Sequence, residues 1–533
     1  MVSPVLFDTI LDPSKELREL FVDQDHNGFG AIVERHFKQI LLPHEAFYQI
    51  PPLNISRPPT VHRQRSIVRF VAMVQDTSRE GEVYMGVLDD KSCGGWGLYE
   101  EMARSQSQDE EQSAVDYSRL QERDSVWAVT VPGQSIWSRD AVSGPDFPPP
   151  TVPTKYTCPK PLKNPGGDIG AFGVSLKIYH DQGNLKPGEV KTFVGILDEE
   201  PSFDDMEEES QPIPTLHVLF TVDALDTDPY NFSSLRDTLF EANIRANLLQ
   251  WIADEALGGD TEAATWVLLT ALTKVQSRTP PILPLSVTIG SFSDSLDGAS
   301  NIPTLVHVLR QLIPTVSPLQ LTLDTLNGKP FMPTSVDEDV QAGILQHPAG
   351  TMFIVSESGI KEVKVTEAGM KNLAALQSVI STQTLSYVFP YSSFSFPVDF
   401  SFLSLTKGRK SAFLTTDVVV PLKGAKSGDE LARELYKGED EVHLPPKATL
   451  EKFRSYISSC RTTTVMLDDD VGKFIEDEFV RTRQDNSDAV SSDDLVRRMS
   501  IAKLLSASMM QPKLTKETWK LAVTMDEKAK SGR

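Results

Sequence analysis

The spacing of apolar residues changes along this chain, from helical to alternating and back, and no single layer of structure satisfies all of it. Up to about residue 60, Leu17, Leu20, Phe21, Ile32, Val33, Phe37, Ile40 and Leu41 recur at roughly helical spacing, broken near Gly28 and Gly30. From residue 67 the period becomes two. IVRFVAMVQD (67–76) and EVYMGVLDD (82–90) predict two strands joined by a polar turn. VWAVTVP (126–132), FGVSLKIYH (172–180), VKTFVGILD (190–198) and TLHVLFTVD (215–223) predict four more.

That many short strands suggests a small β-barrel of OB type. Three segments interrupt it: 100–125 is polar and acidic, 143–168 is rich in Pro and Gly, and 199–212 is acidic. None has enough apolar surface to pack, so all three are expected to be mobile surface insertions. After residue 230 the helical period returns. Leu235, Leu239, Ile244, Leu248 and Ile252 form one stripe with Ser234 as its N-cap. TEAATWVLLTALTKVQS (261–277) is apolar on nearly all sides and predicts a buried helix capped by Asp260. Strands then alternate with helices: 284–292, 302–314, 319–327, 350–358, 368–382 and 397–406. This alternation calls for a mostly parallel sheet covered by helices. From Thr449 to Lys530 the pattern is helical again. The expected organisation is multidomain α+β and α/β. It comprises a helical region (1–62), the barrel with its insertions (63–228), an α/β core (229–430) and a C-terminal helical domain (431–533).

Composition removes several function classes. Lys and Arg number 52 against 74 Asp and Glu, for a net charge of −22. Such a surface repels a phosphate backbone unless basic residues segregate, and KGRK (407–410) and Arg497-Arg498 are short enough to be solvated faces. No direct nucleic-acid binding is expected. No apolar run is long enough to span a membrane, and the N-terminus does not read as a secretory signal. Cys93, Cys158 and Cys460 are far apart, and the nine histidines show no ligand spacing, so neither a disulfide framework nor a metal site is expected. DQDHNG resembles part of a calcium loop but lacks the bidentate Glu at its end, so a polar turn is the better reading.

Three stretches carry a family resemblance: SIVRFVAMVQDTSREGEVYMGVLDD (66–90), VPGQSIWSRDA (131–141) and ADEALGGDTEAATWVLLTALTKVQSRTPPILPLSVTIGSF (253–292). In this order and at this spacing they resemble the eukaryotic MCM-binding protein family. The resemblance implies a nuclear protein that binds subunits of the mini-chromosome maintenance helicase and acts in replication and sister chromatid cohesion. A more distant resemblance is to the MCM subunits themselves. NLKPGEVKTFVGIL (184–197) is similar to their OB-domain turn and strand. LSVTIGSFSDS (285–295) sits where their phosphate-loop strand lies, and QAGILQHPAGTMFIVSES (341–358) where their Walker B strand lies. The tail resembles the helical lid of an AAA+ module.

On that resemblance the nucleotide site is degenerate. A phosphate loop needs glycines that let backbone N–H groups wrap the phosphates, a Lys for the β/γ oxygens, and a Ser or Thr for magnesium. Here Gly290, Ser291, Phe292, Ser293 and Asp294 lead on to Asp297 and Gly298 with no Lys. Asp294 and Asp297 would repel phosphate by ~1 kcal/mol or more even when screened by water. At the Walker B position, Met352 to Val355 lead into Ser356 and Glu357, so the metal-binding carboxylate is a hydroxyl. In the lid, Ser500 falls near the point where an MCM subunit presents an arginine, with Arg497 and Arg498 close by. No catalytic residue and no cofactor is assigned. The expected function is a non-catalytic partner of MCM subunits. The alternative is an OB-fold protein that stacks single-stranded nucleic acid on Phe70, Tyr84, Trp127 or Phe193. Against that alternative, aromatics in a small barrel usually fill its interior, and Trp96 in CGGWG reads as a loop anchor.

Overall fold

A computed structural model describes residues 4–21, 28–78, 81–88, 92–98, 119–144, 147, 156–160, 163, 170–180, 185–201, 212–223, 243–296, 302–336, 339–357, 365–424, 428–485 and 491–531. Mixed α and β elements build it, and no helix among the described residues is long and apolar enough to cross a membrane.

Residues 52–223 carry seven strands: β1 (Pro52–Leu53), β2 (Ile67–Asp76), β3 (Glu82–Met85), β4 (Leu120–Thr130), β5 (Gly173–Ile178), β6 (Val190–Glu200) and β7 (Ile213–Asp223). Their order is β1-β2-β6-β7-β5-β4-β3, and β2 also pairs with β4. Five strands therefore close on themselves, antiparallel throughout except for β5 beside β7. The alternation in β2 sorts its side chains into two cores. Val68, Phe70, Ala72 and Val74 cluster with Phe172, Leu176, Phe193 and Leu216 inside the closed sheet. Ile67 joins Val194, Ile196, Leu219 and Phe220 on the outside, where the helices Ser14–Phe21 and Phe29–Leu41 cover them with Leu17, Phe21, Val33 and Phe37. Each fully buried side chain of this kind contributes about 1.5–3 kcal/mol. The N-terminal helices are thus packed on the sheet through their apolar stripe, and this core runs across residue 62.

The second half begins with the helices Ile244–Ala256 and Thr261–Leu272, the latter capped by Asp260 Oδ1, which accepts the Ala263 N–H at 3.0 Å. A hairpin follows, β8 (Ser277–Arg278) and β9 (Pro281–Ile282). The next strands are β10 (Val287–Gly290), β11 (Val316–Gln320), β12 (Thr334–Val336), β13 (Asp339–Gln341), β14 (Met352–Ser356), β15 (Thr384–Val388), β16 (Ser393–Pro397), β17 (Ser401–Leu405) and β18 (Val418–Pro421). Five of these form a parallel sheet in the order β11-β14-β17-β10-β18, and four form a separate sheet, β13-β12-β15-β16. Parallel strands are buried on both faces. Met352 and Ile354 of β14 therefore join one core, while Phe353 and Val355 join the other. The first of these cores continues into the helices Lys447–Thr462, Ser492–Ser508 and Lys516–Ser531, across residue 430.

Segment 131–141 fastens the two halves. β11 is an edge of the parallel sheet, and its exposed backbone is covered by this segment. The Gly133 carbonyl accepts Val316 N–H at 2.9 Å, Ser135 N–H donates to the Pro314 carbonyl at 2.8 Å, and Gln134 forms a β-bridge with Thr315. Gly133 has φ 67°, and a Cβ there would lie 3.1 Å from the Val316 carbonyl oxygen, so glycine suits the close approach. The same segment serves the carbonyls left open at the end of helix Thr304–Arg310. Trp137 Nε1–H donates to Arg310 at 2.8 Å and Ser135 Oγ–H to Ile313 at 2.6 Å. Arg454, from the C-terminal helices, donates to Gln311 at 2.7 Å and lays its guanidinium over the Trp137 ring, 4.3 Å from the centroid. A second contact lies nearby. Lys163 pairs with buried Asp76 at 3.1 Å and with Asp339 at the start of β13, while Gln346 donates to the Gln75 carbonyl at 2.9 Å and to Tyr387 Oη at 2.8 Å.

Several expectations are corrected. Residues 120–125 are the first half of β4 rather than part of an insertion. The Pro/Gly-rich stretch packs where it is described: Tyr156 meets Phe172 edge-on, and Lys163 is 2% exposed. It does so through one aromatic ring and a buried ion pair, which an apolar count overlooks. Glu199 and Glu200 complete β6. The stretch 319–327 divides into the end of β11 and the short helix Leu323–Asn327. Ser234, Leu235, Leu239, the DQDHNG turn up to Asn27, and most of the three insertions lie outside the described residues.

Trp137→Ala should leave the Arg310 carbonyl without the indole donor and remove the ring beneath the Arg454 guanidinium, at a cost of about 2 kcal/mol. Urea unfolding followed by fluorescence and by circular dichroism should then show separated transitions. A single transition with an unchanged midpoint would mean that the segment does not couple the halves.

Candidate functional site

In open α/β sheets ligands bind beyond the carboxyl ends of the strands. Here that end is lined by the residues after β10, β14 and β17, among them Gly290, Ser291, Phe292, Ser356 and Glu357, whereas Asp297 and Gly298 lie outside the described residues. Gly290 ends β10. Ser291 follows with φ 57°, a left-handed conformation unusual for a residue with a side chain. Its N–H donates to the Gly408 carbonyl at 2.8 Å, and the Phe292 N–H donates to the Thr406 carbonyl at 2.9 Å. A Cβ on Gly290 would lie 2.6 Å from the Arg409 carbonyl oxygen, so the segment after β17 lies directly against this turn. Two amides that a phosphate would need are therefore committed to backbone carbonyls. Phe292 is 2% exposed and packs edge-on against Tyr436, with ring centroids 5.9 Å apart. Asp294 pairs with Lys407 at 2.9 Å, and the side chains of 407–410 are exposed, as their composition suggests.

Ser356 ends β14 with its hydroxyl buried and without a hydrogen-bond partner among the described residues, so it is not presented to a ligand. Glu357 is used as a cap. One carboxylate oxygen accepts from the Ser411 hydroxyl and the other from the Ala412 N–H at 3.1 Å. The Ser411 hydroxyl oxygen in turn accepts the Leu414 N–H at 2.7 Å. Glu357 thus holds the segment whose carbonyls accept the N–H groups of the turn after β10.

The C-terminal arginines are not a solvated face. Arg497 pairs with Asp526 at 2.7 Å and with Asp494, and Arg498 pairs with Asp526 at 3.0 Å and with Glu527. Asp526 is 1% exposed. The two helices Ser492–Ser508 and Lys516–Ser531 bring these charges together, a proximity that local sequence cannot express. Ser500 donates to the Val496 carbonyl of its own helix. Phe70, Trp127 and Phe193 are fully buried and offer no face to a base. Tyr84 belongs to β3, outside the closed ring of strands, where it meets Tyr179 edge-on instead of filling the interior. Trp96 anchors its loop: it is 3% exposed, stacks on Tyr179 at 4.3 Å and meets Phe29 edge-on. No group of three or more metal-ligand side chains occurs among the described residues. Cys93 and Cys460 are buried, and burial pushes each thiol up to about 12.

Burial opposes ionisation of Asp526, but hydrogen bonds and charge from Arg497 and Arg498 outweigh it and hold the carboxyl below the usual range. Its contribution to stability is therefore present above the unfolded value of about 3.9 and lost as pH falls through the lower folded value. Asp526→Asn should destabilise by roughly 3 kcal/mol at neutral pH, because two arginines lose their shared partner. Below about pH 4 the native chain should lose thermal stability faster than the variant. Parallel midpoints from pH 7 to pH 3 would remove Asp526 from this role.

Comparison with known proteins bears on the whole chain. Residues 37–158 and 149–532 match the family model of the mini-chromosome maintenance replisome factor. The chain is 24% identical to the mini-chromosome maintenance complex-binding protein of Mus musculus, over 91% of each chain. It is 28% identical to that of Salmo salar over 66% of this chain and 61% of the relative, and 23% identical to that of Arabidopsis thaliana over 98% of each. The segment that fastens the two halves, the filled turn after β10 and the C-terminal ion network all fall within the matched residues, and the chain belongs to the mini-chromosome maintenance replisome factor family.

Proposed function

We propose that this chain is a non-catalytic binding partner of MCM helicase subunits. The observation that carries the reading is the family match across both halves, together with relatives from animals and a plant that are named for binding this complex. The geometry supports it. The five closed strands with one parallel pair support the OB-type reading of residues 63–228. The five-stranded parallel sheet and its packed C-terminal helices support an AAA+-like core (229–430) with a lid (431–533) behind the helical region 1–62. In that reading the nucleotide position is held shut by the chain itself, through Ser291, Phe292 and Glu357.

A body of this layout offers an MCM subunit a neighbour-like flank without completing an ATP site. It would hold a subunit during assembly, as a chaperone, or take the complex off chromatin, in the nucleus and in support of replication and sister chromatid cohesion. The acidic surplus speeds encounter with a basic surface and makes the rate fall with salt. The single-strand-binding alternative loses its stacking platform, because Phe70, Trp127 and Phe193 are buried.

The full chain, mixed with each MCM subunit and with the set, should form a complex stable to gel filtration without ATP. It should show no ATPase activity above background. Its affinity for single-stranded DNA should be roughly 10⁻⁵ M or weaker at physiological salt. Failure with every subunit would remove the binding role, and turnover abolished by Glu357→Gln would remove the non-catalytic one.

A further inference from the structure

At the opposite end of the parallel sheet, three cationic side chains share one cavity and make no ion pair among the described residues. The cavity has a volume of about 440 Å³. It lies between the end of helix Thr261–Leu272, the end of helix Lys447–Thr462 and one side of helix Ser492–Ser508. Each of these elements contributes a cation: Lys274, Arg461 and Lys503. The rest of the lining is aliphatic, with Leu272 and Leu504, or uncharged and polar, with Gln276 and Thr464, and no acidic side chain lines it. The Asp399 carboxylate accepts the Val275 N–H at 2.9 Å and attracts Arg461. Among the described residues none of the three cations makes a hydrogen bond or ion pair. The position is fixed relative to the sheet. Arg461 Nη2 lies 3.6 Å from where a Cβ on Gly350 would sit, and the Gly350 N–H donates to Asp399 at 2.7 Å. Each lies two residues before a parallel strand, Gly350 before β14 and Asp399 before β17, so this is the amino end of the sheet, away from Ser291 and Glu357.

Three like charges converging on one cavity repel each other, and they do so here in a chain with a net charge of −22. Enclosure also lowers the Arg461 pKa, against the pull of Asp399. A multiply charged anion relieves both costs. A planar guanidinium fork with two ammonium groups suits phosphate oxygens, which take bidentate and point-charge donors together. The volume falls within the range of small-molecule sites, roughly 300–1,000 Å³. We propose that Lys274, Arg461 and Lys503 form a binding site for a diphosphate group, at the amino end of the sheet and separate from the degenerate nucleotide position. The group would come as free diphosphate or as part of a nucleoside diphosphate, whose apolar portion would lie on Leu272 and Leu504. Ligand bound there would tie the C-terminal helices to the core, since each contributes cations.

Isothermal titration of the full chain with inorganic pyrophosphate at roughly 0.1 M salt should give a dissociation constant below about 1 mM. Arg461→Gln and Lys503→Gln should each weaken it about tenfold. Lys503 lies on a helix surface, so its variant tests the site even if Arg461→Gln does not fold. Asp294→Ala, at the other end of the sheet, should leave binding unchanged. Tighter binding of ADP than of pyrophosphate identifies a nucleotide site, and equal binding identifies the diphosphate alone; both support the proposal. Absence of pyrophosphate binding, or binding that Lys503→Gln leaves intact, overturns it.

Discussion

The carbonyls at the end of helix Thr304–Arg310 are where the molecule is joined. A helix terminus leaves carbonyls open, and burying them without donors costs free energy. Trp137 from the strand-rich half and Arg454 from the C-terminal helices supply donors to Arg310 and Gln311, and the two donors stack on each other. Ser135 completes the set at Ile313. Because the donors come from separate parts of the chain, satisfying one helix end orients three regions at once. The backbone bridge from Gly133 to Val316 then covers the β11 edge, and the Asp76–Lys163–Asp339 cluster closes the neighbouring seam.

With the halves joined in this way, the carboxyl end of the parallel sheet is occupied by its own connections. Backbone N–H groups that wrap an anion in a phosphate loop must be free of other acceptors. Here Ser291 and Phe292 donate to Gly408 and Thr406, and Glu357 braces the same segment through Ser411 and Ala412. The Glu357 carboxylate thus has a structural use. At the other end of the sheet the situation is reversed, with three cations lining a cavity and no acidic side chain among the described residues of its lining. The two ends differ in whether the chain satisfies its own polar groups.

Much of this was legible from periodicity. The strands of the closed sheet, the buried helix 261–272 with its Asp260 cap, and the N-terminal stripe of Leu17, Phe21, Val33 and Phe37 follow from spacing and capping chemistry. The absent Lys after Gly290 and the Ser at 356 were also visible in order, because those chemistries depend on residue type at a fixed offset. What escaped was packing that uses charge. Lys163 sits in a stretch too polar to pack by an apolar count, and Arg497 and Arg498 look like a surface pair. Their partners lie far off in sequence, at Asp76, Asp339 and Asp526. The β12–β13 and β15–β16 hairpins were missed because short strands without a long alternating run have no clear period.

By itself the sequence determined the longer periodic elements, the family, the acidic net charge and the absence of a Lys in the stretch after Gly290. Each is set by local pattern or by residue identity. Only the tertiary structure decided that segment 131–141 joins the halves, that the turn after Gly290 is filled by 406–410, and that Lys274, Arg461 and Lys503 converge. Those facts depend on which distant backbones approach each other. Alternation and capping rules act over a few residues and carry no record of such approaches.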